Sequence, residues 1–315
     1  MKSQLNVEGG QAPYVVKWSS SSTKLAVRGD EIAYTLKGRG GVGPSEVLTA
    51  TVTDANGVVT SVSAALDTAG DAVDVAGYGG EGGVFNVGIE QTVDEWQCAQ
   101  DSAVGFKQEM AALGESTKFD WRGTNAWEKD FKRTTNGGID DQYVDTVDAQ
   151  WYTGHGNSGG FSFKNKSQSD EWVVPNDSRW GDNFNLEWMM LESCQVLRDT
   201  NGTNDYFQRW APAFDGLHVL NGFHTNAQCV GGGTGRRFAS YLHPTWWGRP
   251  ALTIPQAWQA MANDLEPTGT VWRSVSPARA GWVNNLGDKY WGQGTVGPDI
   301  PLSQQIGWVA VSGTV

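Results

Sequence analysis

Nowhere does the chain run to about 18 consecutive apolar residues, the length a membrane-spanning helix needs, so no membrane span is read from it. Its first residues, MKSQLNVEGG, lack the apolar stretch of a secretory leader. Basic residues are scarce, 23 Lys+Arg against 35 Asp+Glu for a net charge of −12. That leaves no basic stripe to displace counterions and argues against nucleic acid as a partner. Cysteine is nearly absent. Cys98, Cys194 and Cys229 show no CxxC spacing, which excludes a zinc ribbon and a multi-bridge disulfide framework. One bridge with one thiol left over and three free thiols both stay open, and the odd count leaves at least one thiol in either case. Charged residues are only 18%, while glycine (41) and tryptophan (16) are abundant. That composition describes a loop-rich globular protein with a β component, not a disordered one, and 315 residues suffice for one large domain or two smaller ones.

Composition and periodicity divide the chain. Residues 12–78 are β-rich: AYTLKG and EVLTATVTD have strand composition, and Asn56-Gly57 between TVTDA and VVTSV is a hairpin signal. The glycine run GYGGEGG, 77–83, is a boundary. The expected division is an N-terminal region over 1–80 and a main domain over 81–315. In the main domain, VFNVGIE, TKFDWRG, VDAQWYTG, NLEWMMLES, GLHVLNGF and TVWRSVS read as strands. DEWQCAQDSAVGFKQEMAAL reads as a helix, with Trp96, Ala99, Val104, Met110 and Leu113 as its apolar positions. TNAWEKDFKR is a second helix capped by Thr124 or Asn125, and TIPQAWQAMANDL a third, with Pro255 in its first turn. Strands alternating with helices predict an α/β fold, a mostly parallel sheet covered by helices on both faces. The tail from Trp291 ends in a final short strand.

Functional groups of such sheets gather at the carboxyl ends of the strands. Two candidates fall there. His155 follows VDAQWYTG between Gly154 and Gly156, and Cys194 ends the run LEWMMLES, apolar on both faces like a central parallel strand. A thiol facing an imidazole across adjoining strand ends is a nucleophile with a proton shuttle. The backbone N–H groups of Gly156 and Cys194 are candidates to hold an oxyanion. The competing readings are a turn histidine and a buried apolar cysteine.

His-Gly after one strand and Glu-Ser-Cys after the next, in YTGHG and LESC, 39 residues apart from His155 to Cys194, resembles the caspase–legumain–gingipain superfamily of cysteine peptidases. The likeness covers about residues 84–280. It implies a three-layer α/β/α sandwich with a six-stranded, mostly parallel sheet, histidine after the third strand and cysteine after the fourth. It also implies a carboxylate two residues before the cysteine, here Glu192, lining the pocket for the residue before the scissile bond; Arg or Lys would suit it first and Asn second. Phe223 and His224 after the fifth strand and Asp94 after the first would add to that pocket. The competing reading of Glu192 is a buried ion pair with an arginine. Gln195-Val196-Leu197 departs from the small or glycine-containing segment many members carry after the cysteine.

On this reading the chain is a cysteine endopeptidase acting on a peptide or protein, with no cofactor required, and secreted. The N-terminal region is a propeptide or accessory domain, with Lys37 and Arg39 as self-cleavage points. The alternative is a non-catalytic secreted binding or adhesion module on the same fold. Asp199, Asn201 and Asp205 have the oxygen spacing of a calcium loop but lack its sixth-position glycine and terminal glutamate, so calcium competes with an Asx-rich turn. Asn157-Ser158-Gly159-Gly160 is similar to the nucleophile segment of chymotrypsin-like peptidases, but no histidine precedes His155. Gly38 to Gly43 matches GxGxxG yet precedes Pro44 rather than a helix. His218 and His224, about 20 Å apart on an extended strand, are too distant to share a metal.

Overall fold

The computed structural model describes residues 15–20, 25–28, 33–36, 47–53, 55–65, 86–93, 95–166, 171–182, 185–245 and 248–315. Chain contacts define two compact units, Met1–Gly83 and Val84–Val315. Asp94, Lys37, Arg39 and the GxGxxG stretch lie outside the described residues.

In the first unit, β1 (Val15–Ser20), β4 (Val47–Thr53) and β5 (Val59–Ala65) form an antiparallel sheet with β4 central, and β2 (Leu25–Arg28) pairs with β3 (Ala33–Leu36). The expected hairpin is present. Thr53 pairs with Val59, and Gly57 takes φ +80° in the connection, a left-handed conformation open to glycine at no steric cost.

The second unit is a mixed α/β structure on one seven-stranded sheet. Its strands are β6 (Asn86–Gln91), β7 (Ser116–Arg122), β8 (Ala149–Thr153), β12 (Trp188–Glu192), β13 (Val219–Phe223), β14 (Val271–Ala278) and β15 (Gly307–Thr314). Three short strands, β9 (Gly156–Asn157), β10 (Gly160–Ser162) and β11 (Trp172–Val173), form a separate small sheet. The main order is β15-β14-β13-β12-β8-β6-β7. The run from β7 to β13 is parallel, and β14 and β15 are antiparallel. The six expected strands are all present, as is the final strand expected in the tail; the correction is that this strand joins the sheet as a seventh. β15 pairs with β14 over eight positions, Val271↔Thr314 to Ala278↔Gly307, so the tail completes the sheet.

One face carries α1 (Gln97–Ala112), α3 (Thr234–Tyr241) and α4 (Ile254–Leu265). Ala103, Phe106 and Met110 of α1, Phe238 of α3 and Trp258 of α4 meet Val87, Ile89, Trp151, Trp188 and Met190 of the sheet in one buried cluster. These spacings put one stripe of each helix on the sheet. In α1 the stripe is not the expected one, since Trp96 precedes the helix and is 45% exposed. α4 begins as its sequence predicts: Thr253 and Gln256 form a reciprocal capping box, with Pro255 in the first turn.

The other face departs from the expected second helical layer. Short 3₁₀ turns, the small sheet and the five-residue α2 (Tyr206–Trp210) cover it. The helix expected over 124–133 is two 3₁₀ turns, Gly123–Asn125 and Glu128–Asp130, separated by extended backbone at Trp127. Tertiary contacts decide this. Phe131 is drawn into an aromatic cluster with Tyr152, Phe161, Phe163 and Trp180, while Asp130 turns to the buried Glu90. That burial pattern has no helical period.

Candidate active site

From β6 the chain passes through α1 to β7 on one side, then crosses to β8 on the other. The carboxyl ends of β6 and β8 therefore flank the point where strand order reverses, and open sheets hold their crevice there. A cavity of about 510 Å³ occupies this place. It is lined by Trp96 after β6 and Cys98 of α1, by Thr153 and His155 at and after the end of β8, by Glu192 and Cys194 at and after the end of β12, and by Ala227 and Cys229 in the loop after β13. The structure thus brings His155, Cys194 and Glu192 to one cavity.

His155 is exposed at the rim, its ring edge-on to Trp96 with centroids 5.1 Å apart. Gly156 stands opposite Phe161, and the adjacent ladder bond runs from the Ser162 N–H to the His155 carbonyl at 2.9 Å. Gly156 is therefore the non-hydrogen-bonded member of the ladder, with its N–H directed away from β10. What requires glycine there is close approach. A Cβ on Gly156 would collide with Ser193 Oγ and crowd the Cys194 carbonyl. The His-Gly and Ser-Cys segments are pressed together at this point. Gly156→Ala is expected to push them apart and lower stability by about 1–3 kcal/mol, measurable by chemical denaturation.

Cys194 is the free cysteine and is half-buried; its thiol donates to the Ala227 carbonyl at 3.6 Å. Burial, helped by the nearby Glu266 carboxyl, raises its pKa above the ordinary thiol value. The turn that follows carries the departure seen in sequence. Gln195 takes φ +57°, where glycine is favoured, and strain of this kind persists only when surrounding contacts impose it. Here the Gln195 N–H donates to the Thr225 carbonyl at 2.8 Å, and its side-chain amide donates to Asn226 Oδ1 at 2.8 Å. The Cys194 turn is thereby tied to the loop after β13.

Glu192 ends β12 beside Thr153 of β8 and is 6% exposed. No arginine pairs with it among the described contacts; its partners are hydroxyls. Ser102 and Thr153 donate to Oε2 and Thr234 to Oε1, while Ser102 and Thr234 lie 2.8 Å apart. Burial raises the Glu192 pKa, and the three hydroxyl donors pull it back down. Behind the wall, Glu266 accepts the Gln228 N–H at 3.0 Å; burial first, and then the Glu192 carboxylate, push it up to about 7.

The remaining cysteines form a disulfide, Cys98–Cys229, that joins the start of α1 to the loop after β13 across the same cavity. Neither this pairing nor the hydroxyls of Ser102 and Thr234 are visible in sequence, because no local spacing links residues on separate elements. Two expected pocket residues are elsewhere. Phe223 is fully buried against Trp258, on the face of β13 that packs under α4, so it cannot form an outer wall. His224 turns away from the cavity and accepts the Asp199 N–H at 3.1 Å.

The side chains of the 199–205 loop already have partners. Asp199 pairs with Arg273 at 2.7 Å, and Asn201 Oδ1 accepts from the N–H groups of Thr203 and Asn204 at 3.0 and 2.9 Å. Asp205 caps α2 through the Gln208 N–H at 2.8 Å. Among the described residues, no group of three His, Cys, Asp or Glu is placed to hold a metal. No helix among them is long and apolar enough to cross a membrane.

The fold and cavity define a mixed α/β protein with a cavity at the carboxyl ends of its parallel strands. Residues 85–313 match the family described as a domain of unknown function, DUF6345, and the chain belongs to that family. No curated protein matches it.

Proposed function

We propose that the protein is a cysteine endopeptidase whose second unit is related in fold to the caspase–legumain–gingipain superfamily. The observation that carries the reading is the convergence of His155 and Cys194, from neighbouring parallel strands β8 and β12, on one cavity with a carboxylate in its wall. In the reaction, the Cys194 sulfur attacks the scissile carbonyl and the C–N bond breaks. His155 passes the thiol proton to the leaving amine, and water then releases the acyl group. The Gly156 N–H, unspent in the β-ladder, together with that of Cys194, holds the oxyanion. Glu192 selects the residue before the cut; a buried carboxylate held by neutral donors suits Arg or Lys first and Asn second. The first unit acts as a propeptide or accessory domain. The Cys98–Cys229 bridge fits an oxidising, extracytoplasmic compartment.

A fluorogenic peptide panel varying the residue before the cut, run with and without calcium, tests this together with a thiol-reactive peptide probe. Turnover and labelling at Cys194 are expected, with Cys194→Ala abolishing both. His155→Ala is expected to lower turnover by at least about 100-fold. A folded protein with neither turnover nor labelling would overturn the proposal. The second reading, a binding module with a blocked dyad, is favoured by the half-buried, protonated thiol donating to Ala227. It predicts that second result.

A further inference from the structure

Burying a carboxylate without a cation is costly, and such groups are found paired or fully hydrogen-bonded. Glu192 is in the second condition, and four separate elements build it. Glu192 comes from β12, Thr153 from β8, Ser102 from α1 and Thr234 from the first position of α3; the three hydroxyl residues are at most 3% exposed. The Gly235 N–H donates to Ser102 Oγ at 3.1 Å, which orients that hydroxyl. α1 and α3 come this close because Gly235 has no side chain; a Cβ there would strike the Ser102 carbonyl and Phe106. The chain therefore brings two helices into close packing at the place where their hydroxyls reach one carboxylate. Glu192 and Thr153 both line the cavity. A negative charge fixed by neutral donors, with no cation of its own, is complementary to a cation supplied by a ligand.

We propose that Ser102, Thr153 and Thr234 are positioning residues that fix Glu192 as the receptor for a guanidinium or ammonium group of the substrate. The proposal rests on the cavity assigned above as the substrate pocket, and it can be tested without turnover. The protein carrying Cys194→Ala is titrated with n-butylguanidinium and with its uncharged isostere n-butylurea, by calorimetry across pH 5 to 8.5. Among the described residues, the other titratable groups near Glu192 are Glu266 behind the wall and His155 at the rim, and both are unchanged in every variant compared. Butylguanidinium is expected to bind at least about tenfold tighter than butylurea at pH 8, a difference in the range of a charge-assisted hydrogen bond. Losing one hydroxyl donor makes the carboxylate harder to ionise. Ser102→Ala and Thr234→Val should therefore weaken binding about tenfold at the acid end of this range and progressively less as pH rises. Ser102→Thr and Thr234→Ser, which keep the hydroxyl, should follow the parent profile. A merely structural role would lower binding equally at all pH values. Equal affinity for the two ligands, or pH profiles that superimpose in both hydroxyl-deleted variants, would overturn the proposal. Guanidinium binding without peptide cleavage by the unmodified chain would leave it standing and remove the peptidase reading instead.

Discussion

His218→Ala is expected to lower the stability of the second unit by about 3–5 kcal/mol, the cost of removing one partner from a buried charge cluster. His218 immediately precedes β13, at the end of the sheet opposite the cavity, and is fully buried. Its Nδ1 meets Asp288 at 2.6 Å and its Nε2 meets Asp299 at 2.9 Å. Burial alone would lower the imidazole pKa, but the two carboxylates, Asp288 foremost, overcome it and raise it to about 10. Asp288 also accepts the Trp188 indole at 3.3 Å and the Gly297 N–H at 2.8 Å, so the cluster fastens the 288–299 segment to the sheet. Without the imidazolium, two buried acids lose their common counter-ion. The sign of the pH dependence follows from the direction of the shift. A histidine with its folded pKa raised contributes stability that is fully present below its unfolded value, about 6.5, and is lost as pH rises toward 10. Urea midpoints are expected to fall between pH 7 and pH 10 in the wild type and to change much less over that window in His218→Asn. Of the 16 tryptophans only Trp18 precedes Val84, so indole fluorescence reports the unit concerned. A midpoint unchanged by either substitution would show that the cluster does not hold the segment.

The parallel strands are legible in the sequence because a strand buried on both faces must be a continuous apolar run. WMMLE of β12 and VLNGF of β13 are buried along their length, and their runs stand out accordingly. His155 and Cys194 are legible for the same reason: each follows such a run, and the carboxyl ends of neighbouring parallel strands lie side by side. The covering of the second face is not legible. Its packing rests on Phe131, Trp180 and Trp210 held by irregular backbone, and irregular backbone has no period to detect. Phe223 illustrates a different loss. Position along the strand places it at the sheet end with the other site groups, but alternation puts it on the face of Val219, under α4. The hydroxyls around Glu192 come from residues 102, 153 and 234, each an ordinary Ser or Thr until the fold brings them together.

Replacing Cys98 and Cys229 together by serine is expected to destabilise the second unit by about 5 kcal/mol or somewhat less. The bridge closes a loop of 131 residues, and the entropy removed from the unfolded chain by a cross-link of that span is about 5 kcal/mol at 25 °C. The effect should reach the cavity as well as the global stability. Cys98 sits in the first turn of α1 and Cys229 in the loop before α3, so the bridge anchors the wall that carries Ala227 and Gln228. Beyond it the chain passes through Gly231, Gly232 and Gly233, which offer little stiffness of their own. With the bridge gone, the wall is held by the Gln195 N–H to Thr225, the Gln228 N–H to Glu266 and the Cys194 thiol to Ala227. Local opening then costs less, and the half-buried thiol loses the cover that keeps it protonated. Alkylation of Cys194 by iodoacetamide at pH 8, followed by peptide mass spectrometry, is expected to run about tenfold faster in the double-serine variant than in the oxidised wild type. Tris(2-carboxyethyl)phosphine added to the wild type should bring its rate to that of the variant. Equal rates in all three preparations would mean that the wall keeps its place without the bridge, and the loss of stability would then lie in the unfolded chain alone.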